Sequence, residues 1–315
     1  MQKDSKIFVA GHRGLVGSAI KQKLEDRGFS NLILRTHNEL DLTNSKAVKS
    51  FFEEEKPEYV ILSAAKVGGI NGNNRFPVEF FTENMKIQLN VIENAYRNNV
   101  KKLLFLGSSC IYPKNAPQPM KEEYLLSSEL EKTNEMYALA KISGLKLCNA
   151  YNREYGTNYI SVMPCNLYGL NDNYDNENAH VLPMLVRRFH EAKEAGLKEV
   201  TVWGTGKPLR EFMYAGDLAD AVVYLMENKS AEEIGEFINI GTGKEVTILE
   251  LANMIKEIVG FEGKLIFDNT KPDGTMRKLM DVSRINALGW KAKTSLYEGI
   301  KIVYKDFLEN KNIRI

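Results

Sequence analysis

In the first half of the chain, short apolar runs alternate with longer stretches whose apolar positions follow a helical period. Lys6 to Ala10, Asn31 to Arg35, Tyr59 to Ala64, Lys102 to Gly107 and Tyr159 to Met163 read as strands, and Ser18 to Arg27, Val78 to Asn98 and Asn134 to Tyr155 as helices. The strand runs are continuously apolar rather than alternating, which is the pattern of strands covered on both faces. Strand and helix in strict succession predict parallel β-α-β units and a doubly wound α/β sheet. Beyond about Asn166 the pattern loosens into Asn-rich and Gly-rich segments, Asn171 to Asn178 among them, and a second, smaller α/β domain is expected there. Phe212 to Asn228 and Glu236 to Gly241 read as a helix and a strand that return to the sheet. The predicted division is therefore 1–165 with 212–241 for the sheet domain, and 166–211 with 242–315 for a smaller substrate-binding domain.

Composition narrows the function without naming it. A chain of 315 residues with 43% hydrophobic and 26% charged residues and a net charge of +1 is an ordinary globular protein, and its neutral balance argues against nucleic acid as a partner. No apolar run approaches the roughly 20 residues of a membrane span. Met1 to Lys6 is polar and leads directly into a strand, not into the apolar core of a signal peptide, so a cytoplasmic protein is expected. The three cysteines, Cys110, Cys148 and Cys165, are widely spaced, which suggests neither a disulfide framework nor a zinc site. No metal is expected, and any cysteine with a role acts as a free thiol.

The candidate chemistry begins at the first turn. Gly11, His12, Arg13, Gly14, Leu15, Val16 and Gly17 form a G-x-x-G-x-x-G loop between the first strand and the first helix. Such glycines let the backbone turn tightly and approach a pyrophosphate, which then rests on the free amides of the helix N-terminus. Arg35 lies 18 residues beyond Gly17, where an acidic residue usually meets the ribose hydroxyls of NAD. An arginine there, with Arg13, suits a 2′-phosphate and favours NADPH/NADP+, the alternative being a solvated strand end. Asp41 is placed near the adenine. Further along, Ser108 stands at the tip of a strand, and Tyr137 and Lys141 lie four apart on one helical face. A phenol of pKa about 10 is a poor acid or base at neutrality, but an adjacent ammonium favours the phenolate and lowers that value. Tyr297 and Lys301 repeat the spacing without an upstream serine strand and read as a surface feature. Gly241-Thr242-Gly243-Lys244 lacks the spacing of an ATP loop.

These segments, together with Ala64 to Ile70, Gly107 to Pro113, Asn166 to Gly169, Trp203 to Gly206, Arg210 to Phe212 and Lys271 to Thr275, give the chain a resemblance to the extended short-chain dehydrogenase/reductase family over nearly its whole length. Within that family it resembles the branch of GDP-sugar 3,5-epimerase/4-reductases. The resemblance implies a Rossmann-type NADP-binding domain, a nucleotide-sugar-binding domain, and a homodimer, for which helices Val78 to Asn98 and Asn134 to Tyr155 could pair across a two-fold axis. It also implies conversion of GDP-4-keto-6-deoxy-D-mannose to GDP-L-fucose. Residue by residue, it implies Ser108, Tyr137 and Lys141 as the reductase triad and Cys110 with His180 as the epimerisation pair. It implies Ala64, Ala65, Leu106, Gly107, Ser108, Lys141, Pro164, Cys165, Asn166, Leu167 and His180 along the cofactor, and Arg188, Trp203, Arg210 and Asp273 at the sugar nucleotide. Cys165 stands where a threonine is expected.

Such residue types suit the implied reaction. A 4-keto group acidifies the hydrogens at C3 and C5, and each epimerisation needs groups on opposite faces of the ring. A thiol near pKa 8.5 and an imidazole near 6.5 both exchange protons close to neutrality. Cys110 is assigned as base and His180 as acid, with Ser108 and Tyr137 holding the keto oxygen. Outside that context Cys110 reads as a core cysteine and His180 as a loop or capping histidine. Trp203 either stacks on guanine or fills the domain junction, and Asn171 to Asn178 is either a lid or a plain surface loop. His12, His37 and His190 have no partner in sequence. Rival functions are another nucleotide-sugar 4-epimerase, a 4,6-dehydratase or a 4-ketoreductase on the same scaffold, and, from a different class, a non-catalytic NADPH-binding sensor.

Overall fold

The computed structural model describes residues 1–175, 179–271 and 273–310, without the side chains of residues 70 and 71. The first strands are β1 (Ile7–Ala10), β2 (Leu32–Ile33), β3 (Tyr59–Leu62), β4 (Lys102–Leu106) and β5 (Tyr159–Pro164). The chain then leaves the sheet for β6 (Asn166–Tyr168), β7 (Glu199–Trp203), β8 (Leu209–Arg210) and β9 (Phe212–Tyr214), and returns as β10 (Ile238–Ile240). The order β10-β5-β4-β3-β1-β2 is parallel throughout, and the strands are buried from end to end except at Leu32 and Tyr59. This is the doubly wound sheet that the unbroken apolar runs predicted. Succession reverses between β1 and β3, and the crevice beyond the carboxyl ends of two such strands is where open sheets bind ligands.

Helices cover both faces. On one lie α1 (Leu15–Asp26) and, later in the chain, α7 (Ala215–Asn228); on the other lie α2 (Ser45–Glu55), α4 (Pro77–Arg97) and α5 (Glu135–Tyr155), with the short α3 (Ile70–Arg75) leading into α4. Local chemistry fixes their ends. The Asn44 side chain accepts from the amides of Lys46 and Ala47 at 3.1 and 3.2 Å, Pro77 opens α4, and Gly156 closes α5 in the left-handed region. Helix α1 differs in that Gly14 has no side chain with which to cap it.

The smaller unit is built on α6 (Val181–Glu194), α9 (Ile248–Val259) and α11 (Leu296–Glu309), with β7 pairing β12 (Lys264–Asp268) and β8 lying between β11 (Val246–Thr247) and β13 (Arg277–Lys278). Its core gathers Leu185, Val186, Phe189, Leu251, Ile255 and Ile300. The short helices α8 (Ala231–Ile234) and α10 (Ser283–Ala287), with Met280 and Trp290, pack on the first core instead. Three local expectations shift. Helix α1 starts at Leu15, not Ser18; β2 is two residues long, so Arg35 stands beyond it in a loop; and Phe212–Tyr214 is a strand paired with β6, not the start of a helix. Three consecutive large side chains beside a ready strand edge favour pairing over a helical turn. Among the described residues no helix is long and apolar enough to cross a membrane.

One buried charge ties the layers together. Lys102, at the start of β4, donates to the carbonyls of Leu225 at 2.7 Å and Met226 at 2.9 Å and also to that of Lys229, satisfying the C-terminus of α7. Replacing it with alanine strands those carbonyls in a buried site, so Lys102→Ala is expected to lower the unfolding free energy by about 3 kcal/mol. Denaturant unfolding of both proteins checks this; a loss under about 1 kcal/mol would mean that water replaces the amine.

Candidate active site

The cofactor end is shaped by what cannot fit. Gly11 has φ +85°, and a Cβ on it would lie 2.8 Å from the backbone of Ala64, just past β3; a Cβ on Gly17 would lie 2.1 Å from the Gly11 carbonyl oxygen. Loop and helix therefore pack backbone to backbone, and the uncapped first turn of α1, from Leu15 through Val16 and Gly17, keeps its amides available to an anion. Beside it opens a cavity of about 290 Å³ lined by Gly11, His12, Arg13, Gly14, Arg35, Thr36, His37 and Asn38. Arg35 is held there by Glu55 and by the Leu34 carbonyl at 2.9 Å, with its guanidinium 5.8 Å from the Phe51 ring centre. Asp41 does not line the cavity. Its carboxylate accepts from the Thr43 amide and hydroxyl at 2.9 and 2.8 Å, and those bonds hold it below the usual carboxylate range.

The reacting groups meet beyond the end of β4. Gly107 presses so closely on Met163 that a Cβ would fall 2.1 Å from its sulfur. Ser108 opens a single 3-10 turn, Ser109–Ile111, and its hydroxyl accepts from the Cys110 amide at 3.4 Å. That hydroxyl also reaches the Tyr137 phenol. One α-turn from Tyr137, the Lys141 amine donates to the Leu106 carbonyl, the last of β4, at 2.7 Å and lies 5.8 Å from the Tyr137 ring centre. The Tyr137 ring is fixed edge-on by Phe80, with centroids 6.3 Å apart.

Burial sets the protonation of these groups. It raises Tyr137 well above an ordinary phenol and brings Lys141 down to about 8. This corrects the expectation of a phenol lowered by its lysine: desolvation, with Cys110 beside it, outweighs the Ser108 hydrogen bond, and Tyr137 rests as a proton-bearing phenol. Burial also raises the Cys110 thiol, against the charges of Lys278 and Lys141 and the Ser108 hydrogen bond. His180 immediately precedes α6 and is exposed; surrounding protein, then the charge of Lys278, lowers its imidazole. Cys165 follows β5 and Pro164, its thiol raised by burial and by Glu211. Asn166 and Leu167 continue into β6, and Ala65 follows Ala64 beyond β3.

Toward the small domain, Arg188 of α6 lies 5.1 Å from the Trp203 ring centre and Lys271 lies 5.5 Å from it. Trp203 is 43% exposed, so it does not fill a domain junction. Asp273 accepts from the Thr205 amide and hydroxyl at 2.7 and 2.8 Å and fixes that loop. Arg210 donates to the Leu209 carbonyl at 2.9 Å, and burial lowers its guanidinium while Asp273 opposes the shift. Sequence reasoning missed Lys278, whose charge acts on both Cys110 and His180 and which pairs in register with Arg210. The available signal was strand alternation: Arg277 turns outward to Glu245 at 2.7 Å, so Lys278 turns inward. Among the described residues Arg188, Arg210 and Lys278 have no carboxylate within ion-pair distance, although Glu191 and Asp273 lie near enough to act on the two arginines. His190 packs on Tyr304 and Phe307, and Tyr297 donates to Glu257 at 2.9 Å; neither takes part. Residues 176–178 of the Asn-rich segment lie outside the described residues.

The chain matches the NAD dependent epimerase/dehydratase family over residues 7–241. It is 61% identical over 308 residues to GDP-L-fucose synthase 1 of Arabidopsis thaliana, covering 98% of this chain and 94% of that protein. It is 52% identical over 313 residues to GDP-L-fucose synthase of Escherichia coli K12, covering 98% of each. The structure of a GDP-L-fucose synthetase from Naegleria fowleri bound to NADP superposes with a TM-score of 0.90 at 29% identity, covering 100% of this chain and 98% of that one. With its glycine loop after β1, its serine turn after β4 and its tyrosine–lysine helix α5, the chain belongs to the NAD dependent epimerase/dehydratase family, in its extended short-chain dehydrogenase/reductase form.

Proposed function

We propose that this chain converts GDP-4-keto-6-deoxy-D-mannose to GDP-L-fucose, by epimerisation at C3 and C5 followed by NADPH-dependent reduction at C4. The observation that carries the reading is that the Cys110 amide donates to the Ser108 hydroxyl in the turn just past β4, while Lys141, one helical turn from Tyr137, donates to the Leu106 carbonyl at the end of the same strand. This supports one site for the thiol and the reductase triad, to which we assign the His180 imidazole as well. Near-full-length relatives named for this synthesis support the assignment.

The residues at the cofactor end fit NADPH: the Gly11–Gly17 backbone cradle would take the pyrophosphate, and Arg13 with Arg35 would take the 2′-phosphate. When bound, NADPH supplies the hydride for C4. The chain's own groups handle oxygen and protons. Ser108 donates a hydrogen bond to the keto oxygen, which favours the enolate as a proton leaves C3 or C5. For this the proton that rests on Cys110 first passes to His180; the Cys110 thiolate then takes the proton from carbon and the His180 imidazolium returns one from the opposite face, which restores thiol and neutral imidazole. Tyr137, resting as a phenol, protonates the C4 oxygen, and the nearby Lys141 amine supports the phenolate that remains. Arg188, Arg210 and Lys278 meet the diphosphate and the sugar, and exposed Trp203 offers a face to the base. The exposed tyrosines Tyr96 and Tyr155, stacked at 4.5 Å across α4 and α5, support a homodimer through those helices.

Three outcomes follow. Cys110→Ser is expected to lose C3 and C5 epimerisation, read as deuterium uptake from D₂O by NMR; wild-type uptake would remove Cys110 from the reaction. Cys110 is shifted up and His180 down, and the pair must share one proton, which it does between the two pKa values. The rate of deuterium uptake should therefore be flat from below about pH 6.5 to above about 8.5, falling outside that range, and a narrower bell would contradict the assignment. Arg35→Ser should raise the KM for NADPH about 10- to 100-fold with little change for NADH; equal changes would make Arg35 a solvated loop residue.

A further inference from the structure

Glu211 is fully buried, at 0% exposure, and touches none of the reacting groups described above. It has no ion-pair partner among the described residues. A carboxylate is seldom kept in such a place unless hydrogen bonds compensate it. Here they do: Oε1 accepts from the amides of Thr242 at 2.6 Å and Gly243 at 2.8 Å and from the Thr242 hydroxyl at 3.3 Å, while Oε2 accepts from the Met280 amide at 2.8 Å. The backbone is shaped around it, since a Cβ on Gly241 would lie 2.3 Å from Oε1.

The tethered segments are the ones that carry the cleft. Arg210 precedes Glu211 and pairs in register with Lys278, and Met280 lies two residues beyond Lys278. Past β13 the chain is held on one side by Glu211 and on the other by Met120, whose amide donates to the Leu279 carbonyl at 2.8 Å and whose carbonyl accepts from Asp281 at 2.9 Å. The Glu211 carbonyl in turn accepts from the Asn166 side chain at 2.7 Å, next to Cys165 at the end of the sheet. We propose that Glu211 is a positioning residue for the substrate reaction: by gripping the Met280 amide it sets where Lys278 stands opposite Cys110 and His180. This rests on the function proposed above. Glu211 itself meets neither substrate nor cofactor.

Glutamine tests the grip with little change in volume. Its oxygen can keep Thr242 and Gly243, but its amino group would then face the Met280 amide, donor against donor, and release β13. Wild type, Glu211→Gln, Lys278→Ala and the double variant are compared on GDP-4-keto-6-deoxy-D-mannose, with NADPH affinity followed by cofactor fluorescence. Glu211→Gln is expected to lower kcat/KM for the sugar nucleotide about tenfold or more while leaving NADPH affinity within about twofold. In the Lys278→Ala background the same substitution should cost less than about twofold, because its effect passes through Lys278. Independent, multiplying losses, or an equal loss of NADPH affinity, would overturn the proposal and leave Glu211 a general structural clasp. If Glu211→Gln does not fold, Gly241→Ala serves: its Cβ displaces the Glu211 carboxyl group without replacing it, and it must show the same dependence on Lys278. If wild type leaves this substrate untouched, the proposed function falls, and the same four-protein comparison of GDP affinity still decides whether Glu211 acts through Lys278.

Discussion

The hydrogen bond from the Lys141 amine to the Leu106 carbonyl is the joint on which the site depends. It fastens α5 to the last residue of β4, and with α5 comes Tyr137, while β4 delivers Ser108 and Cys110. A helix and a strand separated by a long loop would otherwise meet with the tolerance of side-chain packing. Here a buried amine with one main-chain acceptor fixes their offset, and the Ser108 hydroxyl then lies within reach of both phenol and thiol. Residues that act together within tenths of an ångström need such a fixture more than they need individual reactivity.

Desolvation gives the cleft its second property. The phenol and thiol rest protonated and the imidazole tends to neutrality, so positive charge is left to Arg188, Arg210 and Lys278, each of which burial itself pushes down. Cations without an ion-pair partner among the described residues are complementary to a diphosphate, and the Lys278 charge opposes the burial that discourages a thiolate. Recognition and proton transfer thus draw on one electrostatic source.

What could be read in the chain was whatever sits close together in sequence. The Gly11–Gly17 turn, the Tyr137–Lys141 spacing and the unbroken strand runs are local, and each carries its geometry with it. Arg35 was also legible, because its distance from the glycine loop is set by one helix and one strand. Glu211 and Met280 are 69 residues apart and meet only because β8 and β13 pair, so no local pattern announced them. Lys278 was hidden the same way. The protonation of Tyr137 was misjudged because sequence shows a neighbouring ammonium but not the loss of water around the ring. Phe212–Tyr214 read as helix because its strand partner, β6, lies 46 residues earlier by register, Asn166 against Phe212.

Trp203 has a use beyond its place in the cleft. The chain has only two tryptophans, and the other, Trp290, is 4% exposed with its indole donating to Asp220 at 3.0 Å. One emitter is thus sealed in the first core while the other stands in solvent beside two cations. The red-shifted, quencher-accessible part of the protein's intrinsic emission belongs to Trp203 alone, so the molecule carries its own optical gauge of the nucleotide end of the cleft, and ligand occupancy can be followed there without a label or a coupled reaction.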